Sequence, residues 1–225
     1  AVTGFKKALP LLLNGLEKLE YRGYDSAGIA VIDSETKNIT CSKAEGKLKN
    51  LIKEIDNKNI TGTVGIGHTR WATHGKPEVK NAHPHIDGSG RIAVVQNGII
   101  ENFQELKNKL EKEGITFNSD TDTEVIPHLI QRELNTLSKL NLENNGSTLL
   151  VAVRNVISDL EGSYALAVLW AGAPNSLVVA RKEAPLIIGL GEGEFICASD
   201  TPAIANFTNI ILPMENDEIA LLTPL

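Results

Sequence analysis

The sequence predicts an α+β protein in which antiparallel sheets are covered by helices. Strand patterns outnumber helix patterns, and several strands are separated by gaps too short for a helical crossover. The apolar segments 165–169 and 177–180, with Gly-Ala-Pro-Asn between them, predict an antiparallel hairpin. Helix patterns are concentrated at 5–21, 101–113 and 121–160, which does not match the regular alternation of a doubly wound parallel sheet.

Apolar periodicity predicts the individual elements of the first half. The first helix has one leucine-rich face, formed by Leu9, Leu12, Leu13, Leu16 and Leu19. A strand at 27–32 and another around 39–41 precede a short helix at 46–55, whose inward side chains are predicted to be Leu48, Leu51, Ile52 and Ile55. Further strands are predicted at 63–66 and 91–96.

After the helices of the second half, which include one at 149–160, the pattern changes to strands. These are predicted at 163–170, 176–181, 186–189, 195–198, 210–212 and 218–222, with a short helix at 201–206. No fixed-period repeat or linker interrupts the chain, so one domain over 1–225 is the simplest interpretation.

Composition excludes several classes of function. With 225 residues and 42% hydrophobic content, the chain can bury a sizeable core. A net charge of −6 and the absence of a dense basic run argue against nucleic-acid binding. No apolar run is long enough to cross a membrane. Two distant cysteines, Cys41 and Cys197, and a start that does not match a signal peptide indicate a reducing, cytoplasmic location.

The densest recognition chemistry lies at residues 67–75, Gly-His-Thr-Arg-Trp-Ala-Thr-His-Gly, after a strand pattern. Arg70 offers a planar fork for a carboxylate, and Trp71 a rigid apolar wall. Thr73 and His74 add short hydrogen-bonding groups. An exposed polar loop is the alternative, but the glycines at both ends favour a binding site, since glycine permits close approach of a ligand to the backbone.

Two further motifs allow a structural and a functional interpretation. The residues alone favour a hairpin turn at Asn97-Gly98, although an amide side chain beside a glycine N–H could also stabilise an oxyanion. Thr121 and Glu124 match a helix capping box, whereas Asp122 between them could bind a substrate ammonium.

Metal and cofactor chemistry find no support in the motifs. Four histidines lie close together in the sequence, at His68, His74, His83 and His85, but without the helical spacing of a hydrolytic zinc site. The chain has no nucleophile elbow and no phosphate-binding glycine loop. We therefore expect no metal and no cofactor.

Taken together, the motifs resemble one known family. They include Leu-Glu-Tyr-Arg-Gly-Tyr-Asp-Ser-Ala-Gly at 19–28, the 67–75 stretch, Asn-Ala-His-Pro-His at 81–85, Asn97-Gly98 and Thr-Asp-Thr-Glu at 121–124. Gly-Ser-Tyr-Ala, Ala-Pro-Leu and Ala-Ser-Asp follow in the same order, at 162–165, 184–186 and 198–200. The chain is similar over almost its whole length to the glutaminase, or class II glutamine amidotransferase, domains of glucosamine-6-phosphate synthases.

This resemblance implies a fold and an activity. The fold is the N-terminal-nucleophile hydrolase sandwich, an αββα arrangement of two antiparallel sheets between helical layers. The activity is hydrolysis of L-glutamine, with ammonia passed to a sugar-isomerase domain that converts fructose 6-phosphate to glucosamine 6-phosphate. That domain is expected after Leu225, and the full protein is expected to be a homodimer.

The resemblance also implies roles for single residues. Arg70 would bind the α-carboxylate of glutamine beside Thr73 and His74, and Asp122 would bind its α-ammonium. Asn97 and Gly98 would form the oxyanion hole. Trp71 would control the ammonia route. The loop from His74 to His85 is expected to close over the substrate.

One part of the family pattern is not in the sequence. The family's nucleophile is a cysteine at the mature N-terminus, on a strand of the form Cys-Gly-Ile-Val-Gly, and its α-amine serves as the base. Here Ala1 leads directly toward the helix, so we expect the cysteine upstream of Ala1 and the domain to lack its first strand. Two alternatives stay open: a non-catalytic glutamine-binding or docking module, and the glutaminase domain of another class II amidotransferase.

Overall fold

A computed structural model describes residues 1–71 and 76–224. Within these ranges the chain forms five α-helices: α1 (Ala8–Glu17), α2 (Leu48–Ile55), α3 (Phe103–Lys112), α4 (Val125–Lys139) and α5 (Gly146–Ile157). The strands there are β1 (Val2–Gly4), β2 (Ser26–Ile32), β3 (Ile39–Glu45), β4 (Val64–Arg70), β5 (His85–Ile86), β6 (Ile92–Ile100), β7 (Gly162–Trp170), β8 (Leu177–Lys182), β9 (Ile187–Leu190), β10 (Glu194–Ala198), β11 (Ile211–Pro213) and β12 (Ile219–Leu222).

The strands form two antiparallel sheets. The first has the order β11-β9-β10-β1-β4-β2-β3, and the second has the order β12-β8-β7-β6-β5. The predicted hairpin is confirmed, because β7 pairs antiparallel with β8 from Tyr164 opposite Lys182 to Val168 opposite Val178. In the first sheet β2 and β4 pair over their full length, with Ser26 opposite Arg70.

Three hydrophobic cores separate four layers. The first sheet packs against α1 and α2 through a core that contains Leu51. A second core, with Ile66 and Val95, lies between the sheets. The third joins the second sheet to α3, α4 and α5 and contains Val94 and Ile130. The neighbours Val94 and Val95 enter different cores because side chains alternate across a strand. This layer order confirms the predicted αββα sandwich.

Helix α2 shows where periodicity alone misassigned a side chain. Leu48, Leu51 and Ile55 are buried as predicted. Ile52 was expected to face inward, but its exposed fraction is 41%. Successive residues are rotated by about 100° around a helix. Ile52 directly follows Leu51, which lies in the buried stripe, and therefore turns toward solvent.

The expectation that Ala1 leads directly into the first helix is wrong. Val2–Gly4 forms β1, which lies between β4 and β10 in the first sheet. All three residues pair with β10, but only Val2 pairs with β4, opposite Gly65. The assignment of 1–225 as one glutaminase domain stays a prediction.

The structure also describes the lengths of the helices and the state of the two cysteines. In the described ranges, every helix is too short or too polar to span a bilayer. Both cysteines are free thiols, with Cys197 buried and Cys41 partly buried.

The packing of α2 predicts a large difference between two neighbouring residues. Leu51→Ala should lower the free energy of unfolding by about 2–5 kcal/mol, because it leaves a cavity in the core. Ile52→Ala on the same helix should cost less than about 1 kcal/mol. Urea unfolding of both variants checks this, and equal losses would contradict the assigned helix orientation.

Candidate active site

One cavity brings together residues from distant parts of the sequence. It has a volume of about 450 Å³ and lies between the ends of β4 and β6. Leucines of α1 supply an apolar wall. Five of the residues predicted from the sequence line this cavity: Arg70, Trp71, Asn97, Gly98 and Asp122. The predicted site residues are therefore neighbours in the fold, although more than fifty positions separate the first from the last.

Arg70 is the last residue of β4 and is only 4% exposed. Its Nη1 lies 3.6 Å from Oδ1 of Asp25 and donates to the carbonyl of Lys76 at 3.2 Å. A buried guanidinium needs such partners, because the loss of hydration is otherwise very costly. The strand end thus presents a desolvated positive charge to the cavity, which suits a carboxylate ligand.

The residue after Arg70 is largely outside the core. Trp71 is 68% exposed, and its indole lies close to Gly23, where an added Cβ would come within 2.7 Å of the ring atom Cζ3. Only glycine at position 23 leaves room for this ring position. Thr73 and His74, the other residues predicted in this stretch, lie outside the described residues.

Asn97 and Gly98 do not form the hairpin turn that their residue types favour. Both belong to β6 and pair with β7, opposite Ala165 and Tyr164. Gly98 has a φ of 131°, and an added Cβ would lie 2.2 Å from the carbonyl oxygen of Ser163. Only glycine fits this backbone position. The unusual backbone at Gly98 lies beside the exposed Asn97 in the cavity wall, as an amide–glycine donor pair requires.

Asp122 enters the cavity from the segment before α4 and is buried. Its Oδ2 accepts a hydrogen bond from the N–H of Ile100 at 2.7 Å. This bond ties the carboxylate to the end of β6. A buried carboxylate beside the cavity is a suitable acceptor for a ligand ammonium group.

The predicted capping box is wrong. Helix α4 begins at Val125, and no side chain caps it. Thr121 instead contacts Nε2 of His85 at 3.0 Å, and Glu124 accepts from the backbone N–H of Ser119 at 2.6 Å. Both side chains therefore stabilise the loop that carries Asp122, because tertiary partners outcompete the local pattern.

Three histidines form a group at the cavity: His68 and His83 line it, and His83 and His85 are buried, whereas His68 is partly buried. The rings of His68 and His83 stack with centroids 4.2 Å apart, and His85 meets His83 edge-on at 4.8 Å. Burial lowers the pKa of His68 to about 4 and that of His85 to about 3, helped by the positive charges of Arg70 and Lys43 respectively. Burial also holds the pKa of His83 well below its ordinary value. All three rings are therefore neutral near pH 7.

Metal binding finds no geometric support in this group. Across residues 1–71 and 76–224, His, Cys, Asp and Glu side chains form no cluster of three or more that could hold a metal ion. The stacked rings of His68 and His83 face each other instead of converging on one point.

Gln96 also lines the cavity, although no sequence motif predicts it there. Its backbone N–H donates to Nδ1 of His83 at 3.3 Å, and its side-chain oxygen accepts from the Thr123 hydroxyl at 2.6 Å. These contacts hold the residue directly before Asn97. The sequence predicts Gln96 only as the last residue of a strand.

Part of the expected closing loop is packed into the interior. Residues 81–85 are buried, and Asn81 donates to the carbonyl of Lys76 at 3.0 Å. Closure of the loop from His74 to His85 over a substrate stays a prediction, and residues 74 and 75 lie outside the described residues.

Arg22 joins two of the sequence motifs beside the cavity. Its guanidinium donates to Oδ2 of Asp200 at 2.7 Å and to the hydroxyl of Ser199 at 3.1 Å. Both Arg22 and Ser199 line the cavity. The ion pair therefore links the segment after α1 to the loop after β10.

A known protein family matches the part of the chain that carries these residues. The profile of the family described as glutamine amidotransferase domain matches residues 68–206. This range begins at His68, in the motif that supplies Arg70, and includes Asn97, Gly98 and Asp122. The chain belongs to the glutamine amidotransferase domain family. The family predicted from the motifs is therefore confirmed.

Relatives of this amidotransferase domain are longer than the chain itself. A glutamine–fructose-6-phosphate aminotransferase (isomerizing) of Thermosynechococcus vestitus is 55% identical over 221 residues, which are 98% of this chain and 34% of that protein. A protein of the same name from Methanosarcina acetivorans is 51% identical over 98% of this chain and 35% of its own length. The chain thus spans about a third of the curated relatives it matches.

Solved structures show the same fold for this amidotransferase domain. A glutamine phosphoribosylpyrophosphate amidotransferase from B. subtilis is 28% identical, with a TM-score of 0.80 over 99% of this chain and 46% of that one. A predicted glutamine amidotransferase from Pseudomonas aeruginosa is 16% identical, with a TM-score of 0.62 over 88% of this chain and 85% of that one, and supports the fold alone.

The buried histidines predict acid sensitivity. Above pH 6.5, the ordinary value for histidine, stability should not depend on these rings, because they are neutral in both states. As the pH falls from 6.5 toward 4, His68 binds a proton in the unfolded chain but not in the folded protein. The free energy of unfolding therefore falls by about 3 kcal/mol through this ring alone.

Urea unfolding between pH 8 and 5 measures this dependence. Most carboxylates titrate lower, so a decline beginning near pH 6.5 identifies the histidines. His68→Gln should reduce the slope by about one proton, or about 1.4 kcal/mol per pH unit. A constant free energy of unfolding from pH 6.5 to 5 would contradict the neutral, buried state of the rings.

Proposed function

We propose that this domain binds L-glutamine and hydrolyses it to glutamate and ammonia. The observation that carries the proposal is one cavity lined by Arg70, Asn97, Gly98 and Asp122. Arg70 would bind the α-carboxylate and Asp122 the α-ammonium, so both ends of an amino-acid head group have partners of opposite charge. The carboxamide would then extend toward Asn97 and Gly98.

The nucleophile needs a thiol that ionises readily. Burial raises the pKa of Cys197 to about 12, and burial also raises the pKa of Cys41. Neither thiol suits attack on an amide near neutral pH. We therefore assign the nucleophile to a cysteine that precedes Ala1 in the whole protein.

The strand pairing around β1 supports this assignment. The β1–β4 ladder has its described pair at Val2 opposite Gly65, although β4 continues to Arg70. Continuing the same antiparallel pairing backward from Ala1 would bring the fourth preceding residue opposite Arg70. Ala1 itself lines the cavity, and four further extended residues would span roughly 13 Å along β4 toward Arg70.

Ala1 continues the pairing of β1 with β10. Its nitrogen donates to the carbonyl of Cys197 at 2.8 Å, and its carbonyl accepts from the N–H of Cys197 at 2.8 Å.

The proposed reaction follows from these positions. The cysteine sulfur attacks the carboxamide carbon of glutamine, while Asn97 and Gly98 donate hydrogen bonds to the oxyanion. The α-amine of the cysteine takes the thiol proton and returns it to the departing ammonia. Water then attacks the thioester and releases glutamate and the free thiol.

We extend the proposal to the whole protein. The relatives are named glutamine–fructose-6-phosphate aminotransferases, and about two thirds of their length lies outside the matched region. Ammonia would pass from this glutaminase half to a sugar-isomerase half that converts fructose 6-phosphate to glucosamine 6-phosphate. Trp71, exposed at the cavity, would control that route. The whole protein would be a cytoplasmic homodimer.

A glutamine-binding module without turnover is the second candidate. The high pKa of Cys197, the thiol that lines the cavity, favours it if no other cysteine is present. Intact mass and N-terminal sequencing of the natural protein, combined with assays of glutamate and ammonia, separate the two. A terminal cysteine with equal amounts of both products supports hydrolysis, and glutamine binding without products overturns it.

Arg70 provides a test of substrate binding. Arg70→Lys should raise the KM for glutamine about 10- to 100-fold, because a point charge cannot replace the planar fork. The exposed Arg154→Lys on α5 is the matched control and should leave KM unchanged. An unchanged KM in Arg70→Lys would contradict the role of Arg70.

Asn97 provides a test of the chemical step. Asn97→Ala should lower kcat about 10²- to 10³-fold by removing one donor to the oxyanion. Glutamine binding, measured by calorimetry, should change little, since the head group is held elsewhere. Asn108→Ala on the exposed face of α3 is the control. A kcat equal to that of the control would remove Asn97 from the oxyanion hole.

A further inference from the structure

Asp25 lies in the Tyr-Arg-Gly-Tyr-Asp-Ser motif and has no role in the function proposed above. We propose that Asp25 is a positioning residue, which holds the guanidinium of Arg70 in the orientation that binds the α-carboxylate of glutamine. The inference rests on the proposed function, because it assumes that Arg70 binds this group.

The side chains of Asp25 and Arg70 lie next to each other. Oδ1 of Asp25 lies 3.6 Å from Nη1 of Arg70 and accepts a hydrogen bond from the Ser26 hydroxyl at 3.0 Å. The Arg70 side chain is almost completely buried, whereas that of Asp25 is about one quarter exposed, at 24%. The carboxylate is thus a fixed negative charge beside a desolvated cation.

The backbone at Asp25 is held on two sides. Its N–H donates to the carbonyl of Arg70 at 2.8 Å, and its own carbonyl accepts from Gly46 at 2.6 Å. The next residue, Ser26, pairs directly with Arg70 across the β2–β4 ladder. Asp25 is therefore attached to both β4 and the end of β3, so its carboxylate has little freedom to move away from the guanidinium.

A guanidinium group can bind two carboxylates at the same time. Arginine has five N–H donors in one plane, so it can serve a protein carboxylate and a ligand carboxylate together. The Lys76 carbonyl accepts from Nη1 and restricts the same plane from another side. Asp25 and this carbonyl both restrict which donors face the cavity. A side chain oriented in advance loses less entropy when it binds its ligand.

A purely structural role for Asp25 has a different consequence. If Asp25 only neutralised a buried charge, its loss would lower stability and would affect all ligands of the cavity equally. A positioning role acts through Arg70 and affects only ligands that carry an α-carboxylate. The compound 4-aminobutanamide is glutamine without this carboxylate and therefore separates the two roles.

The experiment measures binding of glutamine and 4-aminobutanamide to the chain by titration calorimetry and ligand NMR. The variants are Asp25→Asn, Arg70→Lys and both together. Glu45→Gln is the matched control, because Glu45 lies opposite Ser26 at the end of the β2–β3 ladder and accepts from the N–H of Val79. Thermal unfolding of every variant is recorded in parallel.

We expect Asp25→Asn to weaken glutamine binding roughly tenfold and to leave 4-aminobutanamide binding unchanged. The double variant should bind glutamine no more weakly than Arg70→Lys alone, because both changes remove one interaction. Glu45→Gln should match the wild type. If Asp25→Asn does not fold, Ser26→Ala should show a smaller loss, of about two- to fivefold, for glutamine only.

Two failures are distinguishable. A wild-type chain that binds no glutamine overturns the proposed function, and this inference with it. A wild-type chain that binds glutamine, with Asp25→Asn binding it equally well, overturns the role of Asp25 alone. Equal weakening of glutamine and 4-aminobutanamide also overturns it, since that outcome is the one expected for a structural role.

Discussion

The ladder between β2 and β4 is the interaction on which the remainder of the site depends. Its seven pairs run from Ser26 opposite Arg70 to Ile32 opposite Val64. Ala30 and Ile66 of this ladder enter the core between the sheets, and Ile29 enters the core beneath α1 and α2. Because both faces are packed, a shift of one residue would move every side chain of the strand into the opposite core, where it does not fit the available space. The position of Arg70 at the cavity is therefore a consequence of core packing.

The site combines this rigid frame with buried polar groups that are costly to desolvate. Arg70, Asp122 and the neutral histidine group all lie in or beside the interior. The two charged side chains have partners that reduce this cost: Asp25 for Arg70, and the Ile100 N–H for Asp122. Fixed charges and dipoles with little access to water would bind a zwitterionic ligand more strongly than exposed groups would. The same burial predicts that the fold is sensitive to acid.

The failures of sequence interpretation share one cause. Asn97-Gly98 has the composition of a turn, but β7 provides hydrogen-bonding partners along the complete length of β6 and keeps the chain extended. Thr121 has the composition of a cap, but His85 is a nearer partner in the folded protein. Ile52 fits the helical period, yet only Leu48, Leu51 and Ile55 of α2 are buried in the core. In each case a tertiary contact replaced a local preference.

The sequence by itself determined the α+β class, the strand-rich second half and the family. Period and composition suffice for the class and the strands, because alternation and helical repeats reflect burial directly. The family, and with it the roles expected for Asn97, Gly98 and Asp122, came from the resemblance of a run of motifs in order, which is specific. Only the tertiary structure decided that Arg70, Asn97 and Asp122 share one cavity. It alone showed that Asp25 faces Arg70 and that Gln96 supports Asn97. These contacts join residues far apart in the chain, and no local pattern records which distant groups a fold brings within hydrogen-bonding distance.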